Sequence, residues 1–177
     1  MTIPRQVLFD TKWFKVVARV QPDEDPYYML ELPDYVSVIA MTAAHEILFV
    51  RQFRPVVERW TLELPSGHVE ELESPEDAAR RELLEETGFV ASRLELLGTL
   101  VPDVGRLANR MWCYFAPDVR PSEHLHQRED GVGLVVLTEQ EALRCAADGT
   151  VDHALNLAPL FLALSSGRLV LNRTAAP

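Results

Sequence analysis

Cysteine is scarce: the 177 residues hold two, Cys113 and Cys145, which gives no disulfide framework and reads as a pair of reduced thiols. A basic surplus is missing as well. The formal net charge of −10 excludes binding nucleic acid through its phosphates, which requires basic patches. It leaves anionic small molecules open, because divalent cations bridge acidic protein to phosphate. Long apolar runs are absent too. The longest, residues 154–164, contains Asn156 and Pro159 and is too short to span a bilayer. No charged segment followed by an apolar one opens the chain, so the expectation is a cytoplasmic protein with no membrane or nucleic-acid partner. Repeats, low-complexity tracts and linkers are also lacking. What is there, at 47% hydrophobic content, suits a globular chain able to bury a substantial core.

The most informative stretch is residues 67–89. Its second half carries helix signals: Ser74 as a cap, Pro75 in the first turn, Asp77 completing an S-x-x-D start, and Thr87-Gly88 as the stop. Inside it, Glu82, Glu85 and Glu86 stand at i, i+3 and i+4 and therefore share one side of the cylinder. Like charges at that spacing cost about 0.2–0.5 kcal/mol per pair. Ala78 and Ala79 flank the carboxylates with small side chains, and Leu83 borders them. Such a cluster is either a solvated acidic face or a cation site, and oxygen-only donors favour Mg²⁺ or Mn²⁺.

The spacing decides between the two. Gly67, five residues, Glu73, seven residues, Arg81-Glu82-Leu83, one residue, Glu85-Glu86, one residue and Gly88-Phe89 matches every fixed position of the Nudix box. The chain therefore resembles the Nudix hydrolases, which cleave nucleoside diphosphates linked to another moiety. The resemblance implies an α/β/α sandwich with a mixed β-sheet. Two neighbouring segments, Gln52-Phe53-Arg54-Pro55 and Glu63-Leu64-Pro65-Ser66-Gly67, resemble the ADP-ribose pyrophosphatase branch in particular.

Residues 1–35 hold three strand-forming runs, 6–9, 13–18 and 27–31, separated by turn signals at Asp10-Thr11 and residues 22–26. So few short strands are marginal alone and pack on the main domain or on a second subunit. That branch has a similar N-terminal antiparallel sheet which makes its dimer. The resemblance thus implies a dimerising subdomain over 1–35, a Nudix domain over 36–171 and a homodimer. Trp13 either stacks on a nucleobase or packs as an ordinary tryptophan.

Buried strands are expected at 36–41 and 47–50, with further strands at 94–101, 111–116 and 134–137. Helices are expected at 138–148 and 152–165, and residues 172–177 read as frayed. Arg54 is a candidate for substrate oxygens or for a salt bridge to a glutamate. Pro65 and Gly67 are expected to set a sharp loop. Between 102 and 110 lies a candidate substrate loop in which Arg106 and Arg110 either bind phosphate or stay solvated.

Carried over position by position, the resemblance gives Glu82, Glu85, Glu86 and Glu129 as metal ligands, with the carbonyl of Ser66. Arg81 orients carboxylates, Glu73 is structural or an outer ligand, and Glu63 joins Arg54 beside the substrate. His68, His124 and His126 read as loop residues. Some relatives carry a glutamate base where this chain has Gln127, and an amide cannot accept a proton as a carboxylate does. Glu123, Glu85 or metal-activated water is then left to serve. The implied reaction is Mg²⁺- or Mn²⁺-dependent hydrolysis of a small nucleoside diphosphate substrate, ADP-ribose first. Other nucleotide sugars such as GDP-mannose, dinucleotides, and a sensor that binds ADP-ribose without turnover are the alternatives.

Overall fold

The structure, a computed structural model, describes residues 4–20, 24–123 and 130–171. Strands β1 (Arg5–Asp10), β2 (Lys15–Arg19) and β3 (Tyr27–Glu31) form a three-stranded antiparallel sheet. Strand β2 begins two residues later than its apolar run, because Thr11 folds the chain into a turn. Its Oγ1 accepts the N–H groups of Trp13 (3.1 Å) and Phe14 (2.9 Å), so Trp13 stands in the turn at 60% exposure.

The larger sheet contains β4 (Tyr35–Thr42), β5 (Glu46–Arg54), β6 (Arg59–Glu63), β7 (Ser66–His68), β8 (Phe89–Val90), β9 (Glu95–Leu100), β10 (Met111–Pro121) and β11 (Gly133–Thr138). Its path runs β11-β5-β4-β10-β8. The central β4–β10 pair is parallel and its neighbours are antiparallel, so the sheet is mixed.

Alternation along the strands builds two cores. Val36, Val38, Ala40 and Leu48 turn to one face, where helix α1 (Pro75–Thr87) adds Ala78, Ala79 and Leu83. Ile39, Met41, Ile47 and Phe49 turn to the other. There α2 (Glu139–Asp148) adds Ala142 and Leu143, and α3 (Ala154–Ser165) adds Leu160 and Ala163. Helices thus cover both faces of a mixed sheet, the α/β/α arrangement expected.

Other features also differ from expectation. Strand β10 runs through Pro117 to Pro121, where a loop was expected. A bulge with Asp118 at φ 53° takes up the proline, and the strand resumes its pairing with β4 at Val119 opposite Thr42 and then pairs with β8 at Arg120 opposite Val90. Helix α3 starts at Ala154 rather than Asp152, whose carboxylate is held outside the helix by Arg59. Gly67 lies in the short strand β7 rather than in a sharp loop. The frayed segment 172–177 lies outside the described residues.

Candidate active site

Helix α1 is fixed at both ends. Ser74 Oγ accepts the N–H of Asp77 at 3.1 Å, and Gly88, at φ 77°, donates its N–H to the Leu84 carbonyl at 2.8 Å. Ala78, Ala79 and Leu83 seat the helix on the sheet, which sets the rotation at which its glutamates emerge.

Arg81 is the hub of those glutamates. Its guanidinium grips Glu73 with Nε and Nη2 (2.9 and 3.0 Å). Nη1 donates to Glu82 (2.7 Å) and Glu85 (3.0 Å), and Nη2 also reaches the His68 carbonyl (2.9 Å). The bond to Glu73 first, with those to Glu82 and Glu85, pushes the arginine pKa further up, and Glu73 is held below the usual carboxylate range by the same bond. One cation thereby offsets the repulsion that the helical spacing creates.

Glu86 is set differently. It is 4% exposed, and its Oε2 accepts the backbone N–H of Ser66 at 2.8 Å. Ser66 Oγ accepts the Tyr35 hydroxyl at 2.6 Å, and burial pushes that phenol up to about 12. Gly67 lies directly against Glu82: a β-carbon there would collide with both carboxylate oxygens. Glycine here leaves room for Glu82 to approach, and no turn or positive φ calls for it.

Glu82, Glu85 and Glu86 line a cavity of about 840 Å³ together with Trp13, Gln52 and Arg54. Lys12 Nζ stands 4.6 Å over the Trp13 ring. The Gln52 Nε2 group is buried and has no hydrogen-bond partner among the described residues, an exception that native interiors rarely carry. Arg54 donates to Glu63 in bidentate fashion at 2.8 and 2.7 Å, and Glu63 also accepts the Thr61 hydroxyl at 2.6 Å. Burial pushes the Glu63 pKa up, but those donors outweigh it and leave the group ionised below its ordinary value.

Among the described residues no three His, Cys, Asp or Glu side chains converge as a set able to hold a metal ion. The donors are nevertheless of the right kind: carboxylates from one helix face opening on one cavity, with Glu86 buried and Glu82 cradled against Gly67.

The sequence profile of the NUDIX domain matches residues 31–154. The chain belongs to the Nudix hydrolase family. Its relatives include an ADP-ribose pyrophosphatase of Bacillus subtilis (strain 168), 32% identical over 69% of this chain and 67% of that one. A methanol dehydrogenase activator of Bacillus methanolicus is 33% identical over 63% and 62%, and an ADP-sugar pyrophosphatase of Mus musculus is 45% identical over 41% and 35%. The chain thus spans about two thirds or less of each relative's length. A crystal structure of an ADP compounds hydrolase superposes with a TM-score of 0.75 over 94% of this chain and 95% of that one. At 22% identity it shows the Nudix fold.

Of the residues expected at the Nudix site, Glu82, Glu85, Glu86, Arg81, Ser66, Arg54 and Trp13 line one cavity. Glu63, expected beside the substrate, is 2% exposed and acts on the cavity through Arg54. Arg106 and Arg110 do not line it. Arg106 lies 5.0 Å over the Tyr27 ring and donates to the Gly105 carbonyl (2.7 Å), while Arg110 donates its backbone N–H to Asp34 (2.9 Å). Their loop is tied to β3 instead, through Leu30 and Arg106. Glu129, Gln127, His124 and His126 fall outside the described residues. Sequence reasoning missed Tyr35 and Lys12. The position of Tyr35, at the strand end beside β7, is the signal that could have found it.

Proposed function

We propose that the chain is a divalent-cation-dependent pyrophosphohydrolase of nucleoside diphosphate derivatives, with ADP-ribose its preferred substrate and AMP and ribose 5-phosphate its products. The observation that carries this reading is the opening of Glu82, Glu85 and Glu86 on the same cavity as Arg54 and Trp13. The relatives named for ADP-ribose and ADP-sugars support the nucleotide class.

Glu82, Glu85 and Glu86, with the Ser66 carbonyl and Glu129, would hold Mg²⁺ or Mn²⁺. A cation bound there supplies Lewis acidity to a phosphoryl oxygen and to the attacking water. The chain's own part is positional. Arg81 holds Glu82 and Glu85 side by side, and the Ser66 N–H fixes Glu86 in its buried place. Arg54, steadied by Glu63, presents its remaining N–H groups to phosphate oxygens. Trp13 offers a stacking surface for the base. Water adds across the P–O–P bridge: its oxygen bonds one phosphorus, and the bridging oxygen leaves with the other phosphate.

The same reading extends to assembly. Residues 1–35 form a pairing unit for two copies, supported by exposed Val7, Leu8 and Phe9 on β1, and residues 36–171 form the catalytic domain. The unpaired thiols of Cys113 and Cys145 support a cytoplasmic setting.

A substrate panel of ADP-ribose, ADP-glucose, GDP-mannose and diadenosine diphosphate, assayed for products in Mg²⁺ and in Mn²⁺, tests the proposal. ADP-ribose is expected to give the highest kcat/KM. Tight ADP-ribose binding with no product from any substrate would replace the enzyme by the sensor.

A further inference from the structure

Strand β7 is three residues long, and each of them holds one member of the box. The Ser66 N–H donates to Glu86 at 2.8 Å, Gly67 gives Glu82 its room, and the His68 carbonyl accepts Arg81 at 2.9 Å. So short a strand takes its position from its neighbour. It pairs with the start of β4, where Tyr35 stands opposite His68 and Ser37 opposite Ser66. Side chains opposed on such a ladder share a face, and an aromatic one also reaches the diagonal neighbour. Tyr35 does both. Its ring meets the His68 ring edge-on with centroids 6.0 Å apart, and its hydroxyl donates to Ser66 Oγ at 2.6 Å. Ser37, directly across from Ser66, is fully buried and its hydroxyl has no hydrogen-bond partner among the described residues, so it does not hold Ser66.

We propose that Tyr35 is a positioning residue for the carboxylate cluster: through the Ser66 side chain it holds β7 where that strand sets Glu86, Glu82 and Arg81. The inference rests on the pyrophosphohydrolase reading above and adds a residue to the machinery of that site. Tyr35 also lines the carboxylate cleft, so direct contact with substrate is the competing assignment. A phenol has one proton to donate. Ser66 takes it, and what remains toward the cleft is a pair of oxygen lone pairs, whereas a phosphoryl oxygen needs a donor. Tyr35 therefore acts at one remove. Its leverage is geometric, because groups that orient metal ligands from behind change metal affinity or turnover by about 10–100-fold when they are lost.

Tyr35→Phe removes the hydroxyl and keeps the ring on His68. Ser66→Ala removes the acceptor and keeps the backbone N–H and carbonyl, and a double variant removes both ends of the link. Thermal melts establish that each variant is folded. Mn²⁺ affinity is read in the absence of substrate, from the electron paramagnetic resonance of the free ion. Steady-state kcat and KM for ADP-ribose are then measured in saturating Mn²⁺. In each single variant the Mn²⁺ Kd is expected to rise about tenfold and kcat to fall about tenfold, with KM for ADP-ribose within about threefold of the parent. The double variant is expected to match the worse single one, because two hydroxyls that form one link are lost only once. Tyr35→Phe with the parent's Mn²⁺ Kd, a change confined to KM, or a double variant whose loss is the product of the single ones overturns the inference and leaves the hydrolase reading intact. Should Tyr35→Phe not fold, the Mn²⁺ Kd of Ser66→Ala decides on the same terms. If the unaltered protein neither binds Mn²⁺ nor cleaves ADP-ribose, the hydrolase reading fails and the inference falls with it.

Discussion

The carboxylate of Glu82 occupies the space in which a β-carbon on residue 67 would stand. The backbone of residue 67 is in an ordinary strand conformation, so the constraint comes from this contact alone. The clashing atoms are the far end of a flexible side chain. In Gly67→Ala the methyl group is therefore expected to push Glu82 aside with little loss of stability. A drop in kcat of about a hundredfold, or 2.7 kcal/mol of barrier, with a melting temperature within about 3 °C of the parent is the expected result. Full activity would show that Glu82 need not stay where it is.

Glu86→Gln keeps the hydrogen bond from Ser66, because the amide oxygen can still accept it. It removes a negative charge that the fold does not require. Turnover in saturating Mg²⁺ is expected to fall by about two orders of magnitude or more, with stability held. Near-normal turnover would dismiss Glu86 as a ligand.

Arg81→Lys tests the hub. An ammonium with three donors cannot reproduce a planar fork that serves Glu73, Glu82, Glu85 and the His68 carbonyl together. Calorimetry should record a loss of about 1–3 kcal/mol, and kcat should fall at least about tenfold. A lysine variant as stable and as fast as its parent would reduce the hub to a surface ion pair.

The Glu73–Arg81 pair also sets an acid limit. Glu73 has its pKa lowered from the ordinary 4.5 in the folded chain, chiefly by Arg81. The unfolded chain then takes up the proton first, so the pair's stabilisation is complete above that ordinary value and fades as pH falls through the folded one. In denaturant titrations the gap in unfolding free energy between parent and Glu73→Gln is expected to narrow as pH drops below about 4.5. A gap constant from neutral pH to acid would contradict the assignment.

Assembly is tested at Phe9, 57% exposed on β1. Sedimentation at micromolar concentration is expected to show a dimer for the parent and a monomer for Phe9→Asp. A monomeric parent that cleaves ADP-ribose normally would remove the N-terminal sheet from the interface.

Much of this was legible in the residues themselves. Ser74 and Gly88 bracket α1 because capping is local chemistry, and the alternating apolar residues of β4 and β5 name their cores directly. Strand β6 was not read, since Arg59, Thr61 and Glu63 give it a polar face, and those side chains are the ones that organise Arg54. Which glutamate would meet Arg54 depends on register. Arg54 stands opposite Arg59 and reaches along the ladder to Glu63, a choice fixed by the hairpin and not by composition. Arg106 looked like a phosphate donor but lies over Tyr27, a partner far back in the chain on β3 of the small N-terminal sheet.

Strand β4 lies parallel to β10, with Tyr35 opposite Met111 and Ala40 opposite Ala116, and α1 rests on residues from both. Everything from β5 to β9, the box included, is chain that must loop out before that pair can close. Parallel pairing across such a separation is slow to nucleate. On the ribosome Val36, Val38, Ala40 and Leu48 are made before the glutamates of α1, whereas Tyr114, Ala116 and Val119, the rest of the floor beneath that helix, follow them. A nascent chain stopped short of Met111 would carry the complete box over a floor that still lacks its β10 half.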